Sequence, residues 1–126
     1  MRQELTATSF PFSFLVLNES PKTKFETAVT EAIEDMLSSF GSNSKQAIYS
    51  HLERRYGLGK EEIPFKIEDF ARAIEQTFGS AAGNVEIKII ECLHAKCQDF
   101  SYVPRNGELD FVEFIYNLQN HLQAET

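Results

Sequence analysis

The sequence has no tryptophan, and among its 126 residues only two cysteines, four prolines and six glycines. Two cysteines make no disulfide framework. Cys92 and Cys97 lie five positions apart on one predicted helix, about 140° around its axis, where they cannot bridge each other. A reduced chain in the cytoplasm is the expectation. No apolar run reaches the roughly 20 residues of a membrane-spanning helix. The apolar stretch Phe10–Leu17 is short. Only Arg2 precedes it as a basic residue, and Asn18-Glu19-Ser20 after it is not a small-residue cleavage site, so no signal peptide is expected. Positive charge is scarce as well: 12 Lys and Arg stand against 19 Asp and Glu, a net charge of −7. An acidic chain repels phosphate backbones. The densest basic cluster is Arg54-Arg55, so neither nucleic acid nor membrane is expected as a partner.

What is present is an ordinary globular composition for one domain, with eleven Phe to build its core. Residues 1–20 read as a Phe-rich arm and 21–126 as a single all-α bundle of about five helices. In the arm, SFPFSFLVL alternates with period two, which predicts an extended segment or short strand, and Pro11 restricts it to an edge. The first helix carries Phe25, Ala28, Val29, Ala32, Ile33, Met36, Leu37 and Phe40. Ser20-Pro21 or the box Thr23-x-x-Glu26 can start it, and Gly41 can stop it. A second helix starts at Ser42 or Ser44, turns Ala47, Ile48, Leu52 and Tyr56 inward and stops at Gly57. The linker LGKEEIPF is expected to be extended before Pro64. A third helix bears Ile67, Phe70, Ala71, Ile74 and Phe78 and stops at Gly79. Ser80 caps a fourth, with Ala82, Val85, Ile89, Leu93 and Cys97 inward and with Ile87 and Ile90 widening that face. Phe100–Val103 reads as a short strand within a loop. Asp110-x-x-Glu113 then caps a last helix bearing Val112, Ile115, Leu118 and Leu122.

The motif nearest to chemistry is NGELDFVEF, residues 106–114. With Gly107 at position 6 of an EF-hand loop, Asn106, Asp110 and Glu113 fall at ligand positions 5, 9 and 12. Positions 1 and 3 are Tyr102 and Pro104, which bring no carboxylate. The expectation is therefore a turn followed by a helix cap, not a calcium site. His94 and Cys97, spaced i, i+3, can place two metal ligands on one helix face, but the sequence supplies no obvious third and fourth. His51, His94 and His121 fall on three separate helices, and no phosphate-cradling glycine loop precedes a helix. No catalytic residue, cofactor or metal is expected.

Two features suggest contact with other proteins. Arg54 and Arg55 form a charged face suited to an acidic partner, although such a face is commonly only solvated. The arm is harder to explain in a lone chain, since a single extended segment cannot satisfy its own amides. It must lie on its own bundle, pair with residues 100–103, or meet a second copy, which makes Phe10, Phe12 and Phe14 candidate interaction residues and a homodimer the expected assembly.

The run AIYSHLERRYGLGKEEIPFKIEDFARAIEQTFGSAAGNVEIKIIECLHAKC has a frame of its own. A helix ends in Tyr56-Gly57, an acidic linker carries Ile63-Pro64, a helix with Phe70 stops at Phe78-Gly79, and a small-residue start opens a long amphipathic helix. With Phe100-x-Tyr102-Val103-Pro104, Leu109-x-Phe111 and Asn117-Leu118, this stretch of about residues 47–123 resembles a small archaeal helical signalling-output domain, the Nitrosopumilus-type output domain. The resemblance implies a helical fold and a non-enzymatic interaction or output role, and it carries no active site across. The Phe-rich arm departs from that pattern. The alternative reading is a ligand- or metal-responsive binding protein using the degenerate loop or an apolar pocket.

Overall fold

The computed structural model describes residues 22–104 and 109–124, and the expectations for the arm and for Asn106-Gly107 fall outside them. Helix α1 spans Lys24–Ser38. Thr23 starts it, its hydroxyl accepting from the amide of Glu26 at 3.1 Å, which satisfies one of the donors left over at a helix start. Phe25, Ala28, Val29, Ala32, Ile33, Met36 and Leu37 form its buried stripe. Helix α2, Ser42–Tyr56, follows a short turn through Gly41 and ends at Gly57 in the left-handed region (φ 67°). Helix α3 is Ile67–Phe78, α4 is Ala82–Lys96 and α5 is Phe111–Ala124. The fold is all-α, a bundle of five helices with no strand among the described residues.

Helices α1 and α4 pack against each other, and both reach α5. Helix α3 closes the bundle against α4 and α5, and α2 leans on α1 and α3. The core fills from every helix but unequally. Phe70, Ile74, Ile89, Phe114, Ile115 and Leu118 are fully enclosed, whereas α2 contributes only Leu52.

Six local expectations are corrected. Residues Lys60–Phe65 form a 3₁₀ turn instead of an extended linker. Glu62 stabilises its start twice over: its amide donates to the Gly59 carbonyl, and its carboxylate accepts from the Gly59 amide at 2.9 Å. Burial of Ile63 and Pro64 then holds the turn against the bundle. Ser80 does not cap α4; Gly79–Ala81 make a second 3₁₀ turn, and Ala81 stands at the N-cap of α4 with no side-chain hydrogen bond. Phe100–Val103 is not a strand. Phe100 is buried against Phe114 and His121 (ring centroids 5.5 and 5.2 Å apart), so side-chain packing holds the segment where no neighbouring strand offers pairing. Ile87 is exposed, on the opposite side of α4 from Ile89, and Ala47 faces solvent while Tyr49 turns toward the core. Phe40 lies past the end of α1, so the helical period no longer points it inward, and it stays 46% exposed.

Candidate functional site

Three element ends meet at one pole of the bundle. Helix α1 finishes in stacked turns, with the amides of Ser39, Phe40 and Gly41 donating to Met36, Leu37 and Ser38. Helix α3 stops at Gly79 (φ 57°), and the 3₁₀ turn after it leads into α4. This convergence leaves a cleft of about 380 Å³. Met36 and Val85, both buried, supply its floor. Phe40 and Phe78 form its aromatic wall, with rings nearly parallel (25°) and centroids 6.4 Å apart. Ser39, Ala81, Asn84 and Lys88 complete the lining, and Lys88 is the single charged group among them. An apolar concavity with few polar groups is the usual form of a binding site.

A second cleft, of about 420 Å³, opens at the other pole beside the start of α1. It differs in chemistry: Lys22, Lys24, Glu31, Lys96 and Asp99 line it with Thr23, Thr27 and Cys97. Between the two poles, Lys96 bridges the α1–α4 seam to Asp35 at 3.1 Å and to Glu31 at 3.5 Å. Cys92 lies in the same region, half-buried. Its thiol is pushed up by burial and then by Asp35, the opposite of what a reactive thiolate requires.

A polar hub accounts for how α2 is held. Glu34 of α1 takes Lys45 of α2 on one oxygen; its other oxygen receives Lys60 at 2.8 Å and the Tyr49 hydroxyl at 3.0 Å. Lys60 also sits 5.3 Å from the centre of the Tyr49 ring. The ammonium groups of Lys45 and then Lys60 hold the Glu34 carboxyl at about 2, against burial pushing the other way. Burial, then the Glu34 carboxylate, pushes the Tyr49 hydroxyl up. No sequence motif marked this hub; its members become neighbours only when α2 folds back on α1.

The sequence-predicted site residues are dispersed. Asp110 Oδ1 accepts from the amide of Glu113 at 3.1 Å, which is the helix cap. The Glu113 carboxylate receives the Tyr102 hydroxyl. Two residues at calcium-ligand positions are thus engaged in closing α5, and Asn106 lies outside the described residues. His94 is exposed, its ring 5.3 Å from that of Phe114, whereas Cys97 is buried just past the end of α4. The two thus differ in exposure, although the Cys97 amide still donates to the Leu93 carbonyl at 2.8 Å as the last bond of the helix. Among the described residues no group of three or more His, Cys, Asp or Glu is arranged to hold a metal. His51, His94 and His121 lie on α2, α4 and α5. Arg54 and Arg55 are exposed in the last turn of α2, where positive charge also suits the helix dipole. Phe10, Phe12 and Phe14 lie outside the described residues. No helix among the described residues is long and apolar enough to cross a membrane.

The aromatic cleft is what sequence reasoning missed. Its trace was there, in two phenylalanines each placed immediately before a helix-ending glycine: Phe40-Gly41 and Phe78-Gly79. No family model, curated protein or solved structure matches the chain.

Proposed function

We propose that the chain is a non-enzymatic protein-interaction module that self-associates, and that its contact face is the Phe40–Phe78 cleft. The carrying observation is the aromatic pair. Phe40 is 46% exposed, continuous with a buried aliphatic floor, and bordered by one charge. Half-exposed aromatic side chains beside an apolar depression are the groups that dominate binding energy when a partner removes them from water. A second copy is the partner because the chain carries the matching chemistry itself, in the uncharged Phe10–Leu17 segment outside the described residues. Closed twofold dimers are the commonest assembly available to a small chain with such a face. The resemblance to archaeal signalling-output domains supports the same reading and adds a signalling setting, and a chain with only two cysteines suits a reduced cytoplasm. Arg54 and Arg55 then remain available for an acidic protein beyond the dimer.

Native mass spectrometry across a concentration series tests this. A dimer without added mass is expected, and Phe40→Asp is expected to convert it to monomer while leaving the melting temperature close to wild type, since Phe40 is already half in water. A wild-type monomer at every concentration would sink the proposal, as would a monomer carrying a stoichiometric small molecule, which makes the cleft a ligand pocket.

A further inference from the structure

Resting on that self-association, we infer that the contact is an exchange of arms: residues Phe10–Leu17 of one copy occupy the Phe40–Phe78 cleft of the other, and the second arm does the same in return. The inference starts from where the described chain begins. Lys22 stands beside the polar cleft at the start of α1, and the aromatic cleft lies at the far end of that helix. From Lys24 to Phe40 the distance is about 24 Å at a helical rise of ~1.5 Å per residue. Residues 15–23 cover about 30 Å only when fully extended, at ~3.3 Å each. For Phe14 to reach the cleft of its own chain, Leu15, Val16 and Leu17 would therefore have to run nearly straight along the side of α1.

The surface on the α1–α4 route is wrong for them. Glu31, Asp35 and Lys96 span the seam as ion pairs, and Lys88 follows at the rim of the cleft. Laying aliphatic residues over that row strips water from charges and returns no hydrogen bonds. An arm arriving from a second copy enters the cleft from outside and crosses none of it. The chemistry of the segment matches its seat. SFPFSFLVL has no charge, and Phe10, Phe12 and Phe14 share one side of an extended chain. Their rings meet the Phe40–Phe78 wall in offset or edge contacts.

Complementation between two full-length variants tests it. Phe12→Asp with Phe14→Asp spoils the arm and leaves the cleft; Phe40→Asp spoils the cleft and leaves the arm. Each alone is expected to be monomeric. Mixed, they are expected to form a heterodimer held by the one remaining arm–cleft pair, weaker than the wild-type dimer by about tenfold or more. Melting curves within a few degrees of wild type check that both variants fold, and Phe40→Ser repeats the experiment without a buried charge should Phe40→Asp melt early. If the arm variant stays dimeric while the Phe40 variant does not, the faces pack without the arm: the exchange fails and the self-association stands. If each variant is monomeric but the mixture forms no heterodimer, the arm acts on its own bundle and the exchange is overturned. If the wild-type chain is itself monomeric, both proposals fall.

Discussion

At Gly57 the backbone adopts φ 67°, and an added Cβ would have open space around it. The glycine is thus demanded by the dihedral and not by crowding. An L-residue pays for the left-handed region, a β-branched one most of all. Here that conformation satisfies the end of α2: the Gly57 amide donates to Glu53 and the Leu58 amide to Leu52, at 3.0 and 3.1 Å. Burial of Leu58 follows directly from the turn. Gly57→Val is expected to destabilise the protein by ~1–2 kcal/mol, with Gly57→Asn costing less. Urea unfolding of the two variants checks this, and equal midpoints would mean that side-chain packing and not the dihedral sets the cost. The residue scale also shows how half of an EF-hand pattern can serve as a helix start. Asp and Glu three apart are what a calcium loop uses and also what a helix start uses, and the Asp110 contact with the Glu113 amide shows the second use.

Among the elements, α2 is the least anchored. Leu52 is its one fully buried side chain, with Ile48, Tyr49 and Tyr56 packed partly against the core. Gly41 and Gly57, both at positive φ, bound it on either side. Helix α1, by contrast, buries seven residues. Backbone opening costs least where few apolar contacts are broken, so amide hydrogen exchange in α2 is expected to be faster than in α1 and α4. Leu52→Ala is expected to cost ~2–4 kcal/mol and to accelerate exchange in α2 beyond that in α5. Uniform acceleration throughout would show that α2 does not open as a separate unit. Helix boundaries were largely legible because their signals are local: Thr23, Gly57, Gly79 and Asp110 all act within one turn. The 3₁₀ turn at Lys60–Phe65 was not, because Pro64 argues for an extended predecessor. Burial of Ile63 and the Glu62–Gly59 bonds overrule it.

Across the whole molecule, the Glu34 hub couples folding to pH. Its carboxyl is held down to about 2 from an ordinary value near 4.5. The folded state therefore favours the ionised form, and the stabilisation is complete above about pH 4.5 and lost as pH falls toward 2. Because the group is partly open to solvent, its contribution is on the order of 1–2 kcal/mol. Glu34→Gln is expected to be less stable than wild type by that amount at pH 7, with the gap narrowing as the pH falls from 4.5 to 3. A gap that stays constant in urea titrations over that range would show that the hub is held by packing and not by charge.

The sequence by itself determined that the chain is helical, where most helices start and stop, and which residues form most of the core, because capping, glycine conformation and hydrophobic period operate over a few residues. It also excluded a disulfide framework on composition and spacing alone. Tertiary structure decided the rest. Phe40 and Phe78 are 38 positions apart and form a wall only because α1 and α3 end at the same pole. Glu34, Lys45, Tyr49 and Lys60 make a hub only because α2 reverses onto α1. His94 and Cys97, three positions apart, differ because packing buries Cys97 and leaves His94 exposed. A local pattern reports the free energy of one turn of chain, whereas a site depends on which turns the packed core brings together.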